Sequence, residues 1–166
     1  VLQKLRELNP VYNGQASVQI IDDELRSLSI TTDQISDIRP LRACIHLVKL
    51  ECNGSARDKG QVSDLSPLQG MALKELNCWW NRDLRDMSPL RGMQLTSTKF
   101  GETPVEDLSP FAGMPLERLC VNGCPVRDLQ VVRQLPRLQI LNCINCPLET
   151  LQPLAGQNIR QLIFTY

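Results

Sequence analysis

Apolar positions in this chain return at a fixed interval. From Leu25 onward a Leu-x-x-Leu-x-apolar segment starts at Leu25, Leu47, Leu73, Leu95, Leu116, Leu138 and Ile159, so the spacings are 22, 26, 22, 21, 22 and 21 residues. The second anchor is Leu28, Leu50, Leu76, Thr98, Leu119, Leu141 and Leu162; the third is Ile30, Cys52, Cys78, Phe100, Val121, Cys143 and Phe164. Thr98 alone interrupts the apolar series. The last two anchors of each segment lie two residues apart, which in extended chain puts them on one face. Leu76 and Cys78 therefore point inward, and Glu75, Asn77 and Trp79 outward. One unit cannot bury its apolar row by itself, so the pattern predicts stacked coils that share a parallel sheet and a continuous core.

A second signature follows the strands: Asp64-Leu65-Ser66-Pro67-Leu68, Asp86-Met87-Ser88-Pro89-Leu90 and Asp107-Leu108-Ser109-Pro110-Phe111, with weaker copies at Asp37, Asp128 and Thr150. Ser before Pro marks a helix start, with the hydroxyl expected to accept a free backbone N–H and Pro at the first helical position, where its missing donor is harmless. Few residues separate Pro from the next strand, so short 3₁₀ turns are expected on the convex side. The glycine of Gly70-Met71, Gly92-Met93 and Gly113-Met114 supplies a left-handed exit. Ahead of the repeats, Leu2, Leu5 and Leu8 predict a short amphipathic helix stopped by Asn9-Pro10. Asn13-Gly14 predicts a turn, and Ser17 to Ile21 followed by Asp22-Asp23 predicts a β-hairpin leading into Leu25. The expected organisation is an N-terminal cap over 1–24 and a solenoid of about seven coils over 25–166. The closing Leu162-Ile163-Phe164-Thr165-Tyr166 reads as a strand with no cap after it, so a continuation of the natural protein or self-association through an uncapped C-terminal edge is expected.

On these motifs the chain resembles the leucine-rich repeat family, an α/β solenoid with a parallel sheet on its concave face and short 3₁₀ turns on its convex face. The short units look like the internalin-type class. The fuller phrase Asp-Leu-Ser-Pro-Leu-x-Gly-Met-x-Leu and the leading Leu8-Asn9-Pro10 look like a bacterial set common in planctomycetes. The resemblance implies protein or peptide binding without catalysis. It also implies a charged helical closing segment, and frequent attachment to a serine/threonine kinase, no part of which is in this sequence.

Charge narrows the function classes. Eighteen Lys and Arg balance eighteen Asp and Glu, so no basic field exists to attract nucleic acid. No apolar run approaches the ~20 residues of a membrane helix, so membrane insertion of this segment is not expected. The seven cysteines are an odd set and read as core and ladder thiols. Cys143-x-x-Cys146 matches a metal or redox spacing only in spacing, and adjacent-coil pairs Cys52/Cys78 and Cys124/Cys146 lie within disulfide reach under oxidising conditions. Cys120 is offset toward the concave surface and is expected to be exposed. His46 has no partner pattern for zinc, and the repeated Asp residues precede turns, where capping is the expected role. No catalytic constellation, metal site or cofactor motif is visible. Reduced thiols favour a cytoplasmic location, with an extracytoplasmic one if the membrane-anchored arrangement of the resembling family applies.

The binding signal is aromatic. Trp79-Trp80 holds both tryptophans of the chain, with Trp79 assigned to the concave ladder and Trp80 to its edge. A partner contact competes with folding onto the rim to cover apolar surface. The long second unit carries extra residues around 54–60, including Arg57, Asp58 and Lys59, expected as a rim loop beside the tryptophans. Lys49, Glu51, Glu75, Asn77, Lys99, Glu102, Arg118 and Asn122 complete the candidate surface, a mixed-charge field suited to a protein or polar peptide. Three readings follow: a binding domain, the sensory or substrate-recruiting part of a kinase, or a self-assembly module.

Overall fold

A computed structural model describes residues 1–165; Tyr166, the last residue of the predicted solenoid, lies outside them. After α1 (Leu2–Leu8) come β1 (Ala16–Ile21), β2 (Glu24–Thr31), β3 (Lys49–Asn53), β4 (Glu75–Asn77), β5 (Ser97–Lys99), β6 (Arg118–Cys120), β7 (Ile140–Cys143) and β8 (Gln161–Phe164). They form one sheet in sequential order. Only the β1–β2 pair is antiparallel, and every later pair is parallel. Register sets Leu28, Leu50, Leu76, Thr98, Leu119, Leu141 and Leu162 side by side. The first six of these are wholly buried. This is a leucine-rich repeat solenoid, its coil-to-coil contacts replacing the layer packing of an ordinary domain.

Thr98 takes the leucine position of its coil. It is fully buried, and its Oγ1 has no hydrogen-bond partner among the described residues. An orphaned buried hydroxyl is costly, so Thr98→Val, which keeps the shape and adds a methyl, is expected to raise stability by about 1–2 kcal/mol. A rise in the urea midpoint at constant slope would register it; an unchanged or lower midpoint would show that the hydroxyl is satisfied.

The convex side carries 3₁₀ turns at Arg39–Ala43, Ser66–Leu68, Ser88–Leu90, Ser109–Phe111, Gln130–Gln134 and Gln152–Leu154. The repeated Asp residues cap these turns as expected, but the serine hydroxyl does not accept a backbone N–H. Instead the Asp two residues earlier does, Oδ1 of Asp64, Asp86 and Asp107 each taking the N–H of Ser66, Ser88 and Ser109 at 2.7 Å. The serine hydroxyl donates to the other carboxylate oxygen at 2.8 Å. Asp128 and Thr150 repeat the backbone bond with Gln130 and Gln152. The carboxylate wins because it offers two acceptors in the right fork, and the Ser88 N–H and hydroxyl hold the Asp86 carboxyl below its usual range. Gly70 and Gly92 then leave each turn at φ +75° and +77°.

At the N-terminal end Leu5 of α1 is buried, and Asn9 ties the helix to the first coil. Its Nδ2 donates to the carbonyls of Leu5 and Asp37 (both 2.9 Å), while its Oδ1 accepts from the N–H groups of Ser36 and Asp37. Asp22 and Asp23, at φ 50° and 61°, make the two-residue turn between β1 and β2.

Candidate functional site

Trp79 and Trp80 follow the buried anchor Cys78, where β4 runs into its turn. Backbone bonds on both sides hold them: the Trp79 N–H donates to Asn53 Oδ1 (2.9 Å) and the Trp80 N–H to the Gly101 carbonyl (3.1 Å). Trp80 sits at φ +61°, a left-handed conformation uncommon for a large side chain. The indoles meet edge to face, centroids 6.2 Å apart at 67°. Both are half-buried. Trp79 lies across the next coil, where a Cβ on Gly101 would come within 2.3 Å of its ring. Trp79 thus folds against the neighbouring coil, as the rim-covering reading expects, and still keeps open surface.

The loop 54–60 reaches the same place. Gly54 N–H donates to the Trp79 carbonyl and Gly60 N–H to the Trp80 carbonyl, both at 2.9 Å. At its base Ser55 N–H donates to Asp33 Oδ1 at 2.8 Å. From the loop Arg57 crosses to Glu102, guanidinium to carboxylate 3.2 Å. Glu102, at φ +55°, lays its carboxylate over Gly123. Trp79, Trp80, Arg57 and Glu102 therefore share one rim. Asp58 and Lys59 are exposed at the loop tip.

The remaining predicted residues divide into groups. Lys49, Glu51, Glu75 and Asn77 form a network across β3 and β4: Lys49 Nζ is 3.0 Å from Glu51 and 3.8 Å from Glu75, and Asn77 Nδ2 donates to Glu51 at 3.2 Å. The bond from Lys49 holds the Glu51 carboxyl below its usual range, and Glu51 raises Lys49 in turn. Asn77 ends β4, two residues before Trp79 in the turn that follows. Lys99 and Arg118, on neighbouring β5 and β6, make no ion pair among the described residues and flank Cys120. Asn122 does a structural job, its Oδ1 accepting the Ile144 N–H at 3.2 Å just as Asn53 accepts from Trp79.

Cys120 differs from expectation. It lies on the concave row opposite Lys99 and Asn142, yet only 7% of it is exposed. All seven cysteines are buried and free. Burial pushes the thiols of Cys52 and Cys146 up to about 12 and that of Cys143 to about 11, so they pack as small protonated hydrophobes rather than nucleophiles.

A ladder of buried polar groups runs behind the tryptophans and was only half visible in the sequence. Three residues after the third anchors Cys78, Phe100, Val121 and Cys143 stand Asn81, Thr103, Cys124 and Cys146. Each of Asn81, Cys124 and Cys146 bonds the carbonyl of the preceding coil's third anchor: Asn81 Nδ2 to Cys52 (2.9 Å), Cys124 Sγ to Phe100 (3.3 Å) and Cys146 Sγ to Val121 (3.1 Å). Asn81 also donates to Cys78 and Trp79 carbonyls, and its Oδ1 accepts from Val62 N–H and Thr32 Oγ1. The constant offset of three was the signal for Asn81 and Thr103.

No protein-family profile and no curated protein sequence matches the chain. Solved structures do. An internalin, inlF, from Listeria monocytogenes superposes with a TM-score of 0.59 at 25% identity, over 77% of this chain and 44% of that one. The chain thus spans less than half of that internalin's length. A second, internalin C2 (inlC2) from the same organism, covers 99% of this chain and 92% of its own, with a TM-score of 0.50 and 20% identity, a likeness of fold alone. The solenoid is internalin-like. Among the described residues, no helix is long and apolar enough to cross a membrane.

Proposed function

We propose that this solenoid binds another protein, or a peptide segment of one, on its concave face, with the Trp79–Trp80 rim as the apolar anchor. The observation that carries the reading is the tryptophan pair itself. The two indoles meet edge to face on backbone held by hydrogen bonds from both flanking coils, and they keep part of their surface open. Aromatics lose little entropy when a partner covers them, and Trp is enriched among the residues that dominate interfaces. The Arg57–Glu102 pair and the Lys49–Glu51–Glu75 network border the anchor with both signs of charge, which selects register more than it adds affinity. The internalin-like repeat fold supports the same use.

Peptides selected from a random display library against the folded domain provide the test. Trp79→Ala with Trp80→Ala, verified as folded by circular dichroism, is expected to weaken the selected peptides by about tenfold or more, the scale of one interface hot spot. Gly101→Ala should weaken them too by lifting the Trp79 ring, with no change of charge. Equal affinity in all three proteins would sink the assignment and turn attention to the convex face.

A further inference from the structure

The sheet has two edge strands, β1 and β8, and the apolar side chains of β1 are the more exposed. β1 has β2 on one side and, among the described residues, no strand on the other. Its side chains are mostly uncovered, with Val18 49%, Ile20 63% and Ile21 46% exposed. Natural edge strands are blunted by Lys, Pro, inward-pointing charge or a bulge in the edge itself. β1 reads Ala-Ser-Val-Gln-Ile-Ile and has none of the first three. The register shift between Gln19 and Ile20 places the unmatched residue, Arg26, in β2, so β1 stays regular. Val18 stands opposite the fully buried Leu28, so it faces the core side of the sheet yet is half uncovered.

The geometry points to β1 as a docking edge for a second copy of this chain, paired antiparallel about a two-fold axis at Gln19. An axis perpendicular to the sheet preserves its faces, so residues whose numbers sum to twice 19 meet side by side. Val18 of one copy then lies opposite Ile20 of the other, twice, and four β-branched side chains close over one another on the core-side face. On the other face Gln19 meets Gln19, and Ser17 meets Ile21. Charge agrees with this register. Asp22 falls opposite Ala16, and Asp23 opposite Gln15, so neither turn carboxylate faces its copy. The product is a continuous sheet of sixteen strands whose two concave faces open to the same side, doubling the surface offered to a partner. One six-residue strand pair sits at the low end of specific interfaces, below about 1,200 Å² in total, so dissociation in the micromolar range is expected.

Sedimentation velocity of the full chain from low to high micromolar concentration tests this directly. The expected result is a concentration-dependent shift from 18.7 kDa to twice that mass. Val18→Lys and, separately, Ile20→Lys should each remain monomeric throughout while keeping the circular dichroism of the parent. A strictly monomeric wild type overturns the proposal, as does a dimer that survives both lysines or is abolished instead by Leu162→Lys in β8. Backbone amide exchange keeps the test decisive if a lysine variant misfolds. In the unmodified protein the alternate amides of residues 16–21 that point away from β2 should slow by about tenfold or more between the two ends of the concentration range, and equal rates overturn the proposal.

Discussion

Asn81→Leu is expected to lower stability by about 3–5 kcal/mol, far more than a polar-to-apolar change at a surface turn. The amide is fully buried: its two N–H groups are shared among the carbonyls of Cys52, Cys78 and Trp79, and its Oδ1 accepts from Val62 and Thr32. Leucine fills similar space but leaves two to three of those groups unpaired in the core, each costing about 1–3 kcal/mol. The long loop goes with it, because Gly60 packs so close that a Cβ there would lie 2.4 Å from Asn81 Oδ1. Amide exchange at residues 54–62 should therefore rise beyond the global change. Asn81→Asp separates geometry from polarity. It keeps the acceptors for Val62 and Thr32 but turns a carboxylate oxygen toward three carbonyls. That carboxyl would titrate above its unfolded value, so the folded state binds the proton more tightly and the defect shrinks as pH falls. A denaturant midpoint for Asn81→Asp that stays equally far below wild type as the pH is lowered would refute the hydrogen-bond account.

The second large effect belongs to Phe100. It is wholly buried, stacked on Phe111 with centroids 5.5 Å apart and planes at 12°. It is the bulkiest third anchor in the middle of the solenoid, where the flanking coils carry Cys78 and Val121. Phe100→Ala is expected to cost about 3–5 kcal/mol through lost burial and an unfilled cavity, while Phe100→Leu should cost less than half of that. Stability in a solenoid is a sum of neighbouring contacts, so the loss should spread to both adjacent coils. The check is the denaturant midpoint combined with amide exchange across 97–124. A midpoint within about 1 kcal/mol of wild type would mean that the coil collapses around the gap. Peptide binding on the concave face should survive in the fraction that remains folded, since neither phenylalanine touches that surface.

The repeat was readable because it is written in local spacing. The two-residue alternation assigns inward and outward positions, and the interval of 21 to 26 residues assigns the neighbour of every anchor, so strand order, parallel pairing and the 3₁₀ side needed no coordinates. Thr98 stood out for the same reason. The caps were half legible: Asp and Ser were recognised at the turn, but which atom accepts which N–H depends on side-chain reach. Position alone cannot give that: the capping expected of the Asp is found, while the serine hydroxyl, expected to accept, donates to the carboxylate instead.

The candidate site was less legible because exposure depends on groups a full coil away. The register put Cys120 on the open face correctly, yet the surrounding side chains cover it. Trp79 was placed on the ladder, but that its ring lies down on Gly101 follows from the missing Cβ on the next strand. Asn122 counts as a surface residue in the pattern and as a backbone acceptor in space. The solenoid, its period and the facing of its rows follow from the chain alone, since local alternation and a constant repeat are enough to specify them. Which outward residues stay open, which polar groups are consumed in the ladder behind Asn81, and the exposure of the apolar edge of β1 emerge only once the coils are stacked. Those outcomes turn on contacts between coils whose residues are distant in the chain.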